Sequence, residues 1–292
     1  MKTFSKFVLS CVSAALLIVV AAAPAQATNP RTLPAGDTMY IFGCKTNGLN
    51  PPGVGQLSDS GVVTQLAAFP AAPYASSCFR GPAYDPISGL IYVLQTRGGT
   101  PTLWTFDPTT NVFAISPTAD VTACKPINLA IDSQGHAFAQ TSGSGTSPDS
   151  LVSINLTTGV CSAAIGSAFT TSIGSGFQGF GGFSFNLADD VLYATDYDSG
   201  RFYSINASTG SVTPFANSTL GSQTSFGSVA FDSTGMTWIA YGDYSTYLQS
   251  SPWATYNTDN ALQGYYDFSG ASMNVLGIAI IPAGNSPAPA PA

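Results

Sequence analysis

The sequence contains no glutamate, a single histidine and few charges of either sign. All 15 acidic residues are aspartate, and only 8% of the 292 residues are charged. Because strong helix formers such as Glu, Lys and Arg are so few, we expect few helices. Any catalytic system built on a histidine would have to use His136. These absences favour a β structure and leave few residues that could act in acid–base catalysis.

Cysteines are also few, and their spacing limits what they can do. The chain has five, of which Cys11 lies in an apolar N-terminal segment, and it has no CxxC pair or Cys/His cluster. This spacing argues against a structural zinc site. The other four, Cys44, Cys78, Cys124 and Cys161, allow three pairings, and an even number in an exported chain indicates two disulfides. We favour Cys44–Cys78 and Cys124–Cys161, because each pair joins near neighbours in the repeat described below.

Residues 1–27 have the pattern of a secretory signal peptide. Lys2 and Lys6 precede an apolar run from Val8 to Ala23, and Ala25-Gln-Ala27 fits the cleavage site. The alternative, an uncleaved membrane anchor, requires about 20 apolar residues, more than this run provides. Cleavage leaves six of the eight basic residues against 15 acidic ones, a net charge of −9. We therefore expect a secreted, extracellular monomer with neither nucleic acid nor membrane as partner.

The rest of the chain follows a repeated pattern. A small residue lies in a short apolar strand, and a tight turn and a second apolar strand follow; in four of five copies Asp or Asn comes two positions after the small residue. Successive small residues are 47, 54, 46 and 49 positions apart. Such a period, made only of short strands, predicts an all-β protein of the β-propeller type. The small residues are Ala83, Ala130, Ser184, Ala230 and Ala279.

The number of repeats predicts a five-bladed propeller. Four repeats are complete, and the N-terminal unit beginning at Met39–Phe42 lacks an inner strand, which Gly277–Pro282 supplies from the other end of the chain. Sharing the last blade between both ends removes two exposed sheet edges. We expect an N-terminal lead at residues 28–37, the propeller at 38–282 and a disordered Pro/Ala tail at 283–292.

The second half of the repeat carries a family resemblance. An alternating strand runs into Asp107, Asn155 or Asn206, and small hydroxyl-bearing residues with Gly or Asn complete a turn. The pattern apolar-Tyr-x-Ile-Asn-x-x-Thr-Gly-x-Val resembles secreted propellers of the YVTN/NHL type over roughly residues 38–282. The resemblance implies a fold and no particular activity. Some lactonases of the wider group hold a metal with Glu, which this chain lacks, and lyase relatives use a mouth histidine, whereas His136 falls in a turn away from the mouth.

Two motifs resemble elements of other proteins, a calcium-binding loop and the Asp box of sialidases. Asp196-Tyr-Asp198-Ser-Gly200 resembles the start of a calcium loop, but Gly comes one position early and no distal Glu closes the site. We expect no cofactor and keep calcium as the alternative. Asp232-x-x-Gly235-x-Thr237-Trp238 is close to the Asp box of sialidases. The Asp box is a device that stabilises a hairpin turn. The arginine triad of sialidases cannot be assembled from repeat-matched positions of this chain. The motif is therefore evidence about the fold and not about activity.

A candidate ligand site groups two cations with aromatic and polar residues. Arg80 and Lys125 precede Ala83 and Ala130 by three and five residues, which places both on one face near the central channel. Cations and aromatic rings around a concavity suit an anionic or sugar-like ligand. The alternative is that both cations pair with Asp at blade junctions. The full predicted set is Phe79, Arg80, Lys125, Gln178, Phe180, Phe226 and Asn274.

A second candidate surface lies in the fourth repeat, Tyr241–Phe268, which is rich in aromatic residues and departs from the turn pattern. Rings on an extended loop there could stack on sugar rings; the alternative is that they fill the core of a blade. The residues of this possible aromatic platform are Tyr244, Tyr247, Trp253 and Tyr256.

Together these features favour an exported, non-catalytic binding module for a carbohydrate or a surface polymer. One alternative is an Asp-dependent hydrolase or lyase, assisted by calcium. That function needs Asp side chains converging in the channel, whereas Asp85, Asp132 and Asp232 are expected at turns. A structural protein of an envelope or matrix is the other alternative.

Overall fold

The computed structural model describes most of the repeat region as β structure. The described residues are 32–44, 53–57, 63–68, 79–95, 101–121, 124–141, 149–169, 179–196, 201–214, 225–242, 253–256, 262–266 and 274–285. Among them helical structure is nearly absent, and none of it forms a helix with the length and apolar character needed to span a membrane. The strands are β1 (Thr38–Cys44), β2 (Gly53–Leu57), β3 (Val63–Ala68), β4 (Phe79–Tyr84), β5 (Ile91–Gln95), β6 (Thr102–Asp107), β7 (Val112–Asp120), β8 (Pro126–Ile131), β9 (Ala137–Thr141), β10 (Leu151–Ile154), β11 (Phe180–Asn186), β12 (Val191–Asp196), β13 (Phe202–Ile205), β14 (Val212–Pro214), β15 (Ser225–Phe231), β16 (Thr237–Gly242), β17 (Trp253–Tyr256), β18 (Leu262–Tyr266) and β19 (Asn274–Ile281).

These strands form five antiparallel sheets in the described part of the chain. Four sheets have four strands each, in the orders β19-β1-β2-β3, β4-β5-β6-β7, β11-β12-β13-β14 and β15-β16-β17-β18. The fifth, β8-β9-β10, has three strands, and isolated bridges from Ile165 to Leu151 and from Cys161 to Ile154 lie along its outer edge. In the first sheet, β19 from the C-terminal part of the chain pairs with β1 from Thr38↔Ile281 to Cys44↔Asn274.

The small residue of each repeat lies opposite an aromatic residue on the next strand. Ala230, for example, is paired with Trp238, which is fully buried. A small side chain on the inner strand leaves room for the large ring opposite it, and such cross-strand pairs stabilise a sheet. The other four pairs are Ala83–Tyr92, Ala130–Phe138, Ser184–Tyr193 and Ala279–Tyr40.

Each sheet also has an irregularity in register near the start of its innermost strand. The pairing shifts between Arg80 and Ala83 in β4, and equivalent shifts occur in the other four sheets. A bulge of this kind bends the strand and increases its twist. Its recurrence shows that the five sheets share one local geometry at the same place.

The innermost strands β4, β8, β11, β15 and β19 lie side by side, in the neighbour pairs β4–β8, β8–β11, β11–β15, β15–β19 and β19–β4. Glycines permit close approach between them. A methyl group at Gly182 would lie 2.8 Å from the Val229 nitrogen, and one at Gly277 would lie 2.5 Å from Pro82 Cδ. Equivalent positions therefore face each other, and the turns that follow these strands also meet, as between Gly135 and Ile87 and between Gly235 and Asn186. Contact at both ends shows that the five strands run in the same direction.

Candidate functional site

Because the innermost strands run in the same direction, the molecule has two different ends. We call the end where β4, β8, β11, β15 and β19 begin the strand-start end. We call the opposite end, where these strands finish in turns, the turn end. The sequence predicts the ligand site at the strand-start end and the repeat aspartates at the turn end.

At the turn end, Asp side chains hold their own turns together. Asp232, which is 2% exposed, accepts hydrogen bonds from the backbone N–H groups of Thr234 (2.9 Å) and Met236 (3.0 Å) through Oδ1. Its Oδ2 accepts a hydrogen bond of 2.9 Å from Trp238 Nε1. These contacts confirm the interpretation of the Asp-box-like motif as a device that stabilises a turn.

The equivalent residues behave in the same way. Asp132 Oδ1 accepts hydrogen bonds from the N–H groups of Gln134 (2.9 Å) and His136 (2.7 Å), and Asp85 Oδ1 accepts one from Ile87 N–H at 2.9 Å. The turn position of Asp85, Asp132 and Asp232 is therefore confirmed. The His136 ring lies 2.8 Å from Asp132 Oδ2 and is 69% exposed, so it is a solvated turn residue.

Adjacent turns are also tied to each other. Asp190 Oδ1 accepts a hydrogen bond from Ser133 N–H at 2.9 Å. Asp37, which precedes β1, accepts hydrogen bonds from Ser233 N–H at 2.7 Å and from Ala283 N–H at 2.6 Å. The Tyr84 hydroxyl donates to the Asn285 carbonyl. The turn end is thus a connected surface that includes both ends of the sheet region.

A small cavity lies between the innermost strands, in the halves of these strands nearest the turn end. It has a volume of about 20 Å³ and is lined by residues of all five innermost strands, among them Ala83, Ile131, Phe185, Ala230 and Ile280. A cavity of roughly 10–15 Å³ is the minimum for one water molecule. This cavity, between the halves of the inner strands nearest the turn end, is therefore too small for a sugar ring.

The two predicted cations both lie at the strand-start end. Lys125 is exposed, precedes β8, and has a left-handed backbone with φ of 44°. Arg80 is half-buried and is the second residue of β4, so the strand begins earlier than the sequence predicts. The bulge after Arg80 explains the difference, because it lengthens the strand on the N-terminal side of Ala83. Within the described residues, neither cation forms an ion pair with Asp.

The two predicted phenylalanines that the structure describes do not line a concavity. The ring of Phe79 is fully buried against Trp104, with ring centroids 5.9 Å apart. The ring of Phe180 is 4% exposed and packs on Phe169, with centroids 4.9 Å apart. The prediction that these rings face a ligand is therefore wrong, because both contribute to the hydrophobic core.

Other predicted residues either lie outside the described part of the chain or are described only by their backbone. Gln178, Tyr244, Tyr247 and Cys78 are outside it, as is Asp198 of the calcium motif. Four more predicted site residues are described as strand backbone without their side chains: Phe226 in β15, Trp253 and Tyr256 in β17, and Asn274 in β19. Among the described residues, no group of three or more His, Cys, Asp or Glu could hold a metal ion.

A buried polar chain at the strand-start end was not predicted. Asn128 Nδ2 donates to the Phe180 carbonyl at 2.7 Å and to Gln140 Oε1 at 2.8 Å, and Gln140 Nε2 donates to Asp149 Oδ2 at 2.9 Å. Asn128 and Gln140 are both buried, so these bonds satisfy groups that would otherwise be costly. This series of hydrogen bonds links the starts of β8 and β11. The sequence carried one indication of it, because Asn128 is a polar residue within the otherwise apolar stretch Pro126–Ile131.

One of the two favoured disulfides is present. Cys124 and Cys161 are bonded, with a Cα–Cα distance of 6.1 Å, which confirms that pair. The bond joins the segment before β8 to the outer edge of the same sheet, where a fourth strand is replaced by isolated bridges. Cys44 is the last residue of β1, while its favoured partner lies outside the described residues, so that pairing stays a prediction.

Comparisons with known proteins bear on the fold. No protein-family model and no curated protein matches the chain. A chain from the crystal structure of a nidogen/laminin complex is 11% identical with a TM-score of 0.51, and the match covers 83% of this chain and 98% of that one. TolB from Acinetobacter baumannii is 12% identical with a TM-score of 0.49, over 86% and 68% of the two chains. The nidogen/laminin likeness and the five sheets support an all-β fold with a propeller-like arrangement. The YVTN/NHL type stays a prediction.

Proposed function

We propose that the chain is an exported, non-catalytic β-propeller that binds a carbohydrate or a surface polymer at its strand-start end. In this proposal the five sheets are five blades, and β1 and β19 close the ring. The neighbour contacts among β4, β8, β11, β15 and β19 support this arrangement, since each of these strands lies beside two others.

The observation that carries the proposal is the use of the repeat aspartates in turns. Catalysis on a substrate needs groups that converge on the reacting atoms. Asp85, Asp132 and Asp232 instead bind the N–H groups of their own turns at the opposite end from the predicted ligand site. The cavity between the inner strands near the turn end has room for only about one water. Recognition on an outer surface is the function that fits this arrangement.

The kind of partner is supported by one comparison. A similar fold occurs in a complex of nidogen with laminin, so recognition of a macromolecule is a reasonable role for this architecture.

The test is a binding screen of the chain from Thr28 to Ala292 against soluble polysaccharides, followed by thermal unfolding. A polymer at 100 times its Kd is expected to add about 2.7 kcal/mol of stability. The variant Arg80→Ala/Lys125→Ala should lose that shift, while Gln134→Ala, an exposed change at the turn end, should keep it. Release of shorter chains from the polymer would overturn the non-catalytic role, and no shift with any polymer would overturn binding.

A further inference from the structure

The charges of the described residues are segregated between the two ends. All three described Lys and Arg residues lie at the strand-start end: Arg80 in β4, Lys125 before β8 and Arg201 before β13. Seven of the ten described Asp residues lie at the turn end, where no described Lys or Arg lies. Those seven are Asp37, Asp85, Asp107, Asp132, Asp189, Asp190 and Asp232. The described residues of the turn end therefore carry a formal charge of −7 with no described cation beside them, whereas all described cations lie at the strand-start end.

Arg80 and Lys125 lie at the beginnings of two neighbouring strands. A methyl group on Gly81 would lie 2.6 Å from the Leu129 nitrogen and 3.0 Å from Asn128 Cα, so β4 and β8 are in direct contact next to Arg80. Lys125 lies three residues before Asn128 and directly precedes β8. The two cations therefore lie at the starts of two neighbouring inner strands, at the same end of the molecule.

The two cations differ from the third in their surroundings. Burial and the Asp196 charge raise the pKa of the Tyr203 hydroxyl, and a hydrogen bond with Arg201 opposes that rise. Arg201 thus has partners of its own. Arg80 and Lys125 have no ion pair among the described residues. Lys125 also directly follows Cys124 of the disulfide and precedes β8, so its backbone is fixed at both sides.

We propose that the ligand of the strand-start end is an anionic polysaccharide, whose carboxylate or sulfate groups are bound by Arg80 and Lys125. This inference rests on the proposed function. A guanidinium can bind a carboxylate or sulfate through two parallel hydrogen bonds, and an ammonium adds a point charge. The acidic turn end repels the same polymer, so the charge distribution directs it to one end of the molecule.

The test compares polygalacturonate with neutral dextran of similar length, using the chain from Thr28 to Ala292. We expect saturable binding of polygalacturonate that weakens steeply between about 50 and about 500 mM salt, and no comparable binding of dextran. Arg80→Gln/Lys125→Gln should weaken binding by about tenfold or more, since hydrogen bonds to charged groups are the strong ones. Gln134→Ala is the control that should bind as the parent chain does.

The outcomes separate this inference from the proposed function. Equal, salt-independent binding of both polymers would overturn the anionic ligand and leave the binding module standing. Binding of neither polymer would overturn the anionic ligand, and if no polymer in the wider screen binds, the proposed function is overturned as well. Should the double variant fail to fold, Lys125→Gln alone decides the matter, because this exposed residue makes no described side-chain contact; an unchanged affinity would overturn the role of Lys125.

Discussion

Ala230 lies directly opposite Trp238 on the neighbouring strand, and the indole Nε1 of Trp238 donates a hydrogen bond of 2.9 Å to Asp232 Oδ2. Three features of the repeat, the small residue, the turn Asp and the ring, thus belong to one local unit. The small residue makes room for the ring, and in this sheet the ring supports the carboxylate that shapes the turn. The other sheets keep the small–aromatic pair with different rings.

The first prediction concerns the carboxylate of this unit. Asp232→Ala would leave the Trp238 indole and the N–H groups of Thr234 and Met236 without their acceptor in a buried site. We expect a loss of about 3 kcal/mol or more, since each unsatisfied buried donor costs about 1–3 kcal/mol. Urea unfolding measures it. Asp232→Asn keeps one carbonyl acceptor and should lose less, and equal losses in the two variants would contradict this account.

The second prediction tests the close approach of β11 and β15. In Gly182→Ala, the new methyl group would lie 2.8 Å from both Thr195 Oγ1 and the Val229 nitrogen. Overpacking of this kind typically costs about 1–3 kcal/mol. The matched control is Ser184→Ala in the same strand, because alanine occupies that repeat position in the other four sheets. Thermal unfolding should show a clear loss for Gly182→Ala and almost none for the control; similar values would argue against backbone contact between these strands.

The third prediction concerns stability at alkaline pH. Burial, the Asp189 charge and the hydrogen bond with Asp189 raise the pKa of Tyr193 from 10.0 to about 12. Because the unfolded chain ionises first, the contribution of neutral Tyr193 to stability is fully present below pH 10.0 and is lost as the pH rises towards about 12. Tyr193→Phe should remove this part of the alkaline destabilisation. Phenylalanine already occupies the equivalent position as Phe138.

The measurement for Tyr193 is the free energy of unfolding across that pH range, for the parent chain and for Tyr193→Phe. The parent curve should fall relative to the curve of Tyr193→Phe between pH 10.0 and about 12, because only the parent chain carries this ionisation. Tyr203→Phe gives a second reference, since burial also raises the pKa of Tyr203. Parallel curves for Tyr193→Phe and the parent across the whole range would contradict the assignment.

The fourth prediction concerns the disulfide between Cys124 and Cys161. Their sequence separation is 37 residues, and native disulfides of this kind typically contribute about 2–4 kcal/mol. Cys124→Ser/Cys161→Ser should therefore unfold at a lower urea concentration than the parent chain. Peptide mapping without reductant should also recover Cys44 linked to Cys78. A different partner for Cys44 would overturn the favoured pairing while leaving the first bond in place.

The sequence predicted the repeat correctly but misplaced several side chains around the candidate site. The turn residues could be predicted, because Asp85, Asp132 and Asp232 bond to groups within four residues of themselves. The burial of Phe79 and Phe180 could not be predicted in this way. A bulge changes which face of a strand a residue points to, and nothing local in the sequence marks it.

Regularity of the pattern was also a poor guide to the number of strands. The stretch after Leu151 has the regular turn motif, yet beyond β10 its sheet continues only as isolated bridges at Cys161 and Ile165. The irregular fourth repeat nevertheless forms β17 and β18. Backbone pairing decides whether a strand forms, and it depends on neighbouring strands that local sequence does not describe.

The last prediction concerns Asp37, whose partners are distant in sequence. Its carboxylate accepts hydrogen bonds from Ser233 and from Ala283, and so joins the segment before β1 to the turn after β15 and to the segment after β19. If β1 and β19 close the ring, Asp37→Ala should ease local separation of these two strands. Amide hydrogen exchange of β1 and β19 should then become faster, with little change in β8 or β9.

Asp190→Ala is the matched control for Asp37. Asp190 accepts one hydrogen bond from Ser133 and so joins two sheets that lie away from the chain ends. Its loss should leave exchange in β1 and β19 unchanged and affect the turn after β8 instead. Local opening is measurable because the stability of a folded chain differs from one region to another. Uniformly faster exchange in Asp37→Ala would mean that Asp37 acts on global stability alone, and the idea that it fastens the two ends of the sheet region would be abandoned.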